Sequence, residues 1–403
     1  MALPCASRLG VIFFTVFLDL LGFGLVLPLL PQFARQHGAS EAVIGLLGAT
    51  YSAIQFVCAP LWGRLSDRIG RRPVLLASIA GSAISYLAFA LAPTLAMLFV
   101  ARALAGAMAA NIGTAQAYIA DITPPERRAR GMGLIGAAFG LGFVFGPALA
   151  LVVQGQRAVG LTAAALSCLD LLLAARWLPE SLPPERRGKA TSPREGRLLR
   201  MARALRSPKV GVGVRCLFVA TLAWSGLEVT ASLLVKERAA ALLATDPALV
   251  LEVQRRTGLL FAIMGLTAAL VQGGLAGRLA RRYPEARLAT AGLLAAAIAM
   301  ASLPWVGSPV ALAAAAIGLA LGQGLYYPAL SALISRAVPA HEQGGSLGLA
   351  QGFASLARAI GPALAGGLFA WARPLPFLAG ALLLATAGIW LLRSGTPTSP
   401  SAG

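Results

Sequence analysis

Apolar runs of about 20 residues recur along the whole chain and alternate with short polar loops. A run of that length crosses roughly 30 Å of hydrocarbon as a helix. Each run must be helical, because in lipid every backbone polar group has to be hydrogen-bonded within the protein. The pattern predicts twelve transmembrane spans, numbered in chain order: 9–32, 43–63, 73–92, 95–120, 131–153, 157–178, 210–235, 257–280, 287–305, 309–335, 344–371 and 374–393.

The composition agrees with an all-α membrane protein. Of the 403 residues, 58% are hydrophobic and 12% are charged, whereas about a quarter are charged in an average soluble domain. The net charge of +19 would suit a nucleic-acid partner, but the arginines lie in short loops, where they act as an orientation signal in the membrane. We therefore expect no nucleic acid to bind.

The few cysteines and histidines change little. The four cysteines are scattered and the two histidines are far apart, so no metal site, cofactor or disulfide framework is expected. The first run contains Asp19, continues to Pro28 and is followed by no small-residue cleavage site. It is interpreted as a retained span rather than a signal peptide.

The distribution of basic residues predicts the topology. With a cytoplasmic N-terminus, the loops that face inward carry most of the loop Lys and Arg, so both termini are expected in the cytoplasm. The long basic stretch 179–209 separates an N-terminal six-helix bundle, 1–178, from a C-terminal six-helix bundle, 210–403. We expect this stretch to be a solvated linker that can also lie on anionic lipid headgroups.

The two halves repeat each other. Gly146-Pro147 matches Gly361-Pro362 at an offset of 215 residues, and the stretches that begin at Pro124 and Pro339 match at the same offset. A parallel repeat of six helices is typical of a two-bundle transporter whose substrate site lies between the halves.

The loop between spans 2 and 3 concentrates charge in a chain that otherwise avoids it. It reads GRLSDRIGRR from Gly63 to Arg72, and the topology places Asp121, at the end of span 4, on the same side. Charge-assisted hydrogen bonds between Asp67, Arg71 and Asp121 are predicted there, while Gly63 and Gly70 would permit a tight turn and close helix approach. The alternative is a plain positive-inside anchor, which leaves the acid and the glycines unexplained.

This loop resembles the loop signature of the major facilitator superfamily. The span-5 motif resembles the antiporter signature of that superfamily at Gly133, Gly142, Gly146 and Pro147, and Arg102 with Gly106 resembles a third signature. The stretches QFVCAPLWGRLSDRIGRRPVLL and AYIADITPPERRARG are similar to tetracycline/proton antiporters and their multidrug relatives. The resemblance implies a gating role for the loop residues Gly63, Asp67, Gly70, Arg71, Arg72 and Asp121.

Several charged residues lie inside the spans, where they are costly and usually face a cavity. Asp19 is near the middle of span 1, and we expect it to couple protons or bind a substrate cation; a packing role is the alternative. The resemblance implies a coupling role for Arg102, and Glu228 is expected to assist Asp19. Glu228 and Arg358 are predicted to lie at similar depth, where they could pair. Asp170 is expected to pair with Arg176 at the membrane edge.

By the resemblance, spans 1, 4, 7 and 10 line a central cavity. Polar side chains on these spans suit an amphipathic ligand or bonds between helices; with Arg358 from span 11, the candidate cavity residues are Asn111, Gln116, Gln323, Tyr326 and Tyr327. Two features depart from the family pattern. Ala150-Leu151 follows Pro147 where a Gly pair is usual, and Ser85 stands where tetracycline antiporters of this type carry an acid.

The sequence therefore predicts a proton-coupled antiporter that exports small amphipathic drugs across the bacterial inner membrane by alternating access. It is expected to be monomeric and not an enzyme, because no catalytic constellation and no nucleotide-binding loop is present. The second-half loop has Arg281 in place of Asp67 and Pro284 in place of Gly70, so the first loop is expected to dominate the gate. The alternatives are a metabolite or sugar transporter of the same fold and a receptor built on a degenerate transporter.

Overall fold

The computed structural model describes residues 5–109, 112–123, 138, 141–142, 144–188, 210–242, 249–337 and 343–394. Every regular element in these ranges is helical, and ten of the helices are long and apolar enough to cross a membrane. Asn111 and Gly133 of the predicted sites lie outside the described residues, as does most of the linker.

Most of the predicted spans correspond to one helix each. Spans 2, 3, 6, 7, 10, 11 and 12 are the helices Glu41–Ile69, Arg71–Ala90, Gln156–Trp177, Gly211–Leu242, Pro309–Arg336, Gln343–Trp371 and Leu375–Arg393. Span 2 is longer than predicted at its end, because its helix continues through the charged loop to Ile69.

The remaining spans are built from shorter pieces. Span 1 joins Cys5–Val26 to Leu30–Gln36 through a 3₁₀ turn, and span 4 joins Leu95–Met108 to Ile112–Ile122. Span 8 joins Leu249–Leu270 to Ala276–Ala280 through a π-helical turn, and span 9 is Glu285–Ser302 with a 3₁₀ turn at its end. Of span 5, residues 144–150 form the described helical run.

Local chemistry sets several of the helix starts. The Thr94 hydroxyl accepts a hydrogen bond from the Met97 N–H at 3.3 Å, and Ser308 caps span 10 in the same way with Pro309 as the first helical residue. Span 3 follows Gly70 at φ 112° and span 6 follows Gly155 at φ 83°, a backbone region that glycine occupies without steric cost.

The chain forms two compact units. The first comprises Met1–Ala39, Thr50–Arg194 and Val235–Ala262, and the second comprises Ser40–Ala49, Glu195–Leu234 and Ile263–Gly403. The start of span 2 thus belongs with the second unit, where a Cβ on Gly45 would overlap the Pro362 carbonyl oxygen. The division into bundles 1–178 and 210–403 stays a prediction.

The core of the first unit joins spans 1, 3, 4 and 6. It is centred on Tyr118, which is fully buried, and its other large buried members include Ile12, Leu20, Leu75, Ile79 and Ile119. The Tyr118 hydroxyl donates a hydrogen bond to the Pro179 carbonyl at 3.0 Å. This bond ties the end of span 6 to span 4 and leaves no polar group of the ring unsatisfied.

The second unit packs spans 9, 10 and 12 through small residues. A Cβ on Gly322 of span 10 would lie 2.6 Å from the Gly292 carbonyl oxygen of span 9, and a Cβ on Gly292 would lie 2.7 Å from the Gly322 carbonyl oxygen. A side chain on either glycine would therefore overlap the backbone of the other helix. Close packing of small residues is the main source of helix association in lipid.

This contact predicts the effect of one substitution. In Gly322→Val the new side chain meets the span-9 backbone, so we expect a loss of about 1–3 kcal/mol of stability, as for an overpacked core. Gly367→Val is the matched control, because a Cβ at Gly367 would meet nothing within 4 Å. Thermal unfolding of both variants in detergent measures the difference, and equal midpoints would contradict the role given to the glycine pair.

Candidate functional site

The cluster that is predicted to act as a gate centres on Arg71, the first residue of span 3. Its guanidinium donates to Asp67 at 2.5 Å, to the Ser66 hydroxyl at 2.7 Å and to Asp121 at 3.2 Å. The Arg71 side chain is 10% exposed, so these are partly desolvated, charge-assisted hydrogen bonds, which are stronger than exposed ion pairs. The predicted contacts between Asp67, Arg71 and Asp121 are confirmed as geometry.

Glu180, three residues beyond the span-6 helix, completes this cluster. One of its carboxyl oxygens accepts from the backbone N–H of Arg71 at 2.9 Å and the other from that of Arg72 at 3.2 Å. A carboxylate at a helix N-terminus satisfies free N–H groups and complements the helix dipole. The Glu180 side chain therefore fixes the first turn of span 3.

The residues around Glu180 add further bonds to the same loop. The Ser181 hydroxyl donates to Asp121 at 3.1 Å, and the Gly188 N–H donates to the Asp67 carbonyl at 2.9 Å. Arg72 donates to the Ala175 carbonyl at 2.7 Å. The segment 179–188 thus lies along the loop between spans 2 and 3. This contact was not predicted from the sequence.

The two glycines of the loop differ in their roles. A Cβ on Gly70 would overlap a Glu180 carboxyl oxygen, and Gly70 also has a positive φ; its predicted turn role is confirmed. The close-approach role predicted for Gly63 is wrong, because Gly63 lies inside the span-2 helix and a Cβ there would meet nothing within 4 Å.

The second half has an ion pair at the equivalent place. Glu285 bonds to Arg336 at 2.6 Å. Glu285 stands 214 residues after Arg71, the offset that relates Gly277 to Gly63, and Arg336 stands 215 residues after Asp121, the offset between the span-5 and span-11 motifs. The second half therefore has an ion pair at the same place with the charges exchanged. The sequence comparison had shown only the differences at Arg281 and Pro284. Arg336 is 66% exposed, so the pair adds little stability.

Asp19 lies in a polar group within the first unit. It is partly buried, and the Ser82 hydroxyl of span 3 donates a hydrogen bond to its carboxyl group. The Tyr86 phenol, one turn further along span 3, lies within electrostatic reach of Asp19. Ser85 stands at the position where an acid was expected by resemblance. Its hydroxyl donates to the Ser82 carbonyl at 2.8 Å, which is a bond within its own helix.

Arg102 extends this group from span 4. It is 2% exposed, and its guanidinium carbon lies 4.6 Å from the Tyr51 ring centroid and 5.8 Å from that of Phe23. Such stacking favours a desolvated guanidinium through the negative faces of the rings. Tyr86 is also within electrostatic reach of Arg102, so one phenol lies near both an acid and a cation.

The span-5 signature packs directly on span 1. A Cβ on Gly146 would lie 2.5 Å from the Gly24 carbonyl carbon, and a Cβ on Gly142 would lie 2.7 Å from the Leu20 Cβ. Gly142 and Gly146 therefore let span 5 approach the helix that carries Asp19. The antiporter role that the resemblance implies for this motif stays a prediction.

The polar residues of the second unit form a separate set. Gln351 donates to the Tyr327 hydroxyl at 3.0 Å, and Tyr326 is buried within electrostatic reach of Glu228. Arg358 reaches the Ser355 hydroxyl at 3.5 Å, within its own helix. The pairing of Glu228 with Arg358 and the cavity roles of Gln116, Gln323 and these tyrosines stay predictions.

One expected pair is wrong. Asp170 was expected to pair with Arg176 at the membrane edge, but Asp170 is 1% exposed and lies beside Thr15 of span 1, whereas Arg176 is exposed. The two residues are six positions apart on one helix and so point in different directions.

Sequence reasoning missed Glu180, Ser82 and Tyr86. Glu180 had a usable signal, since it is an acid directly after span 6 on the side of the gate arginines. Ser82 and Tyr86 lie four residues apart on one face of span 3, but nothing in the sequence pairs that face with Asp19.

The fold and these sites define a polytopic helical transporter with a charged loop at the start of span 3 and an acid inside span 1. The model of the Major Facilitator Superfamily matches residues 12–245 and 217–403. The chain belongs to this superfamily, with the twelve-helix fold of its members.

The similar proteins include relatives of two kinds. The chain is similar to the tetracycline resistance protein of class C from Escherichia coli, at 34% identity over 90% of each chain, and to the major facilitator superfamily domain-containing protein 10 of Bos taurus, at 32% identity over 90% of this chain and 87% of the relative. The crystal structure of the human organic anion transporter MFSD10 (TETRAN) matches with a TM-score of 0.74 and 28% identity, covering 97% of this chain and 100% of that one.

Gly70 provides a direct test of the turn. Gly70→Ala forces a side chain into positive φ and against Glu180, so we expect a loss of about 1–2 kcal/mol from the backbone conformation, with the contact adding to it. Gly63→Ala is the control and should be neutral or stabilising by up to about 1 kcal/mol, because the space beside it is open and Ala favours helix. Thermal unfolding of the two variants in detergent decides; a neutral Gly70→Ala would contradict the turn role given to this glycine.

Glu180 provides a test of the missed anchor. In Glu180→Gln the amide retains one carbonyl acceptor but loses the charge that spans two N–H groups of span 3, so we expect destabilisation by about 1.5–3 kcal/mol. Glu185→Gln, at an exposed acid in the same segment, is the matched control. If both amides melt at the same temperature, Glu180 does not fix the helix start.

Proposed function

We propose that this protein is a proton-coupled antiporter that exports amphipathic drugs across the bacterial inner membrane by alternating access. The observation that carries the proposal is the Asp19 group: one carboxyl in span 1 is bonded to Ser82, and the Tyr86 phenol lies within electrostatic reach of both Asp19 and Arg102. A carboxyl inside the membrane is retained where it has a function. The tetracycline resistance relatives support a drug as substrate.

In the proposed cycle, an external proton binds Asp19 and favours the state open to the cytoplasm. Removing the charge weakens the pull of the carboxyl on Ser82 and on cations nearby, so protonation biases the equilibrium between states. A substrate that enters from the cytoplasm displaces the proton, and the change of state releases the substrate outside. Glu228 in the second half would assist the proton transfer.

The gate cluster would supply the other half of the coupling. Arg71 holds spans 2, 3 and 4 together at one membrane face through Asp67 and Asp121. We propose that breaking these bonds accompanies opening on that side. A substrate or proton can shift such an equilibrium only by its differential affinity for the two states.

A second candidate is transport of organic anions. It is favoured by the likeness to the human organic anion transporter MFSD10 and by arginines within the spans, Arg102 and Arg358 among them. A panel of tetracycline, lipophilic cations and organic anions, measured in proteoliposomes with an imposed pH gradient, separates the two candidates. An anion-only profile would replace drug export.

The proton role of Asp19 is tested in inverted vesicles. Asp19→Asn places an amide with no transferable proton at this position, so we expect substrate-driven proton movement to fall by about tenfold or more, which corresponds to about 1.4 kcal/mol. Asp19→Glu keeps a protonatable group and is the matched control, expected to retain part of the activity. Proton movement at the normal rate in Asp19→Asn would overturn the mechanism.

A further inference from the structure

A cavity lies between spans 1 and 6 of the first unit, and Asp19 is not among the residues that line it. It has a volume of about 280 Å³ and is lined by Val11, Phe14, Thr15, Asp170, Leu173 and Trp177. Span 1 runs from its Gly10 end to Asp19 while span 6 runs back from Asp170 to Trp177, so the two antiparallel helices enclose it along about two turns. We call it the span-1/span-6 groove.

Asp170 forms the polar floor of this groove. Its side chain is 99% removed from solvent, and neither carboxyl oxygen has a hydrogen-bond partner of good geometry among the described residues. Thr15 is its polar neighbour, and Asp19, one turn further along span 1, is a second acid within electrostatic reach. A buried carboxyl without compensation costs free energy, and a cation bound beside Asp170 would offset part of that cost.

The walls of the groove are apolar and aromatic. The side chains of Phe14 and Trp177 remain 57% and 48% exposed, although both stand on membrane-spanning helices. Exposed apolar side chains on such helices meet lipid rather than water. The rings also provide negative faces for a cation that carries its charge on a bulky apolar centre.

We propose that the span-1/span-6 groove binds lipophilic monovalent cations from the bilayer, with Asp170 as the counter-ion. The charged centre lies between the Asp170 carboxylate and the rings of Phe14 and Trp177, and the apolar arms extend past Leu173 into lipid. A quaternary phosphonium or ammonium fits, because it carries charge without hydrogen-bond donors and needs none of the acceptors that a dry groove lacks. The site deepens the proposed function by naming a substrate class, yet its occupancy needs no proton gradient.

The test is equilibrium binding of radiolabelled tetraphenylphosphonium to the full chain in nanodiscs at constant pH. Wild type should bind it saturably, and Asp170→Asn should weaken binding by about tenfold or more, because a nearby countercharge at low dielectric is worth at least that factor. Asp170→Glu should bind nearly as wild type, and Glu185→Gln, which removes an exposed acid, should change nothing. Tetraphenylborate has the same shape with the opposite charge and should show no saturable binding.

Three results would overturn the proposal: unchanged binding in Asp170→Asn, equally tight binding of tetraphenylborate, or loss of binding in Asp19→Asn but not in Asp170→Asn. The last would place the cation at the Asp19 group instead.

If Asp170→Asn is not monodisperse in detergent, Phe14→Leu takes its place, and binding should drop several-fold because the cation–π contact is lost. A photoreactive phosphonium should label residues 10–15 or 170–177. Transport that fails while this binding persists would count against the proposed function alone.

Discussion

The arrangement of this transporter depends on how Arg71 is compensated. A guanidinium that is nine-tenths buried is destabilising unless its donors are bonded to acids, and here the acids come from two other spans, Asp67 at the end of span 2 and Asp121 at the end of span 4. The same residue begins span 3, and its backbone N–H is bonded to Glu180. One residue thus connects spans 2, 3 and 4 with the segment that leaves span 6.

The charged residues deeper in the spans are also compensated by neighbouring side chains, but these neighbours are of a different kind. Asp19 is bonded to the Ser82 hydroxyl, and Arg102 lies against the Tyr51 and Phe23 rings. These partners are neutral, so they lower the cost of burial without fixing the charge of the acid. A carboxyl held by a hydroxyl is able to change its protonation state with less structural change than one locked in a bidentate ion pair. That difference separates a group suited to coupling from a group suited to anchoring.

The sequence predicted the fold well, because a bilayer permits few solutions. Long apolar runs have to be helices, and the basic loops and the 215-residue repeat divide them into two sets of six. The contacts of Asp67, Arg71 and Asp121 were predicted because topology alone places them at one face. The contacts of Glu180 and Asp170 were not predicted, because their partners are far away in sequence. For Asp170 in particular, no periodicity shows which face of span 6 meets span 1. Gly63 was misjudged for a related reason: span 2 continues past it, so the turn lies at Gly70.

The second-half pair shows what the repeat conserves. Glu285 and Arg336 occupy the places of Arg71 and Asp121 with the signs exchanged. A Coulombic attraction does not depend on which partner is positive, so the contact survives the exchange. The hydrogen bonds do not survive it, because a guanidinium directs several donors at once whereas a carboxylate only accepts. Arg71 therefore gathers three side chains, and an acid in its place is able to bind only the donors brought to it. The first loop has the richer network of described bonds for this reason, so the asymmetry between the two loops follows from the chemistry of the two side chains.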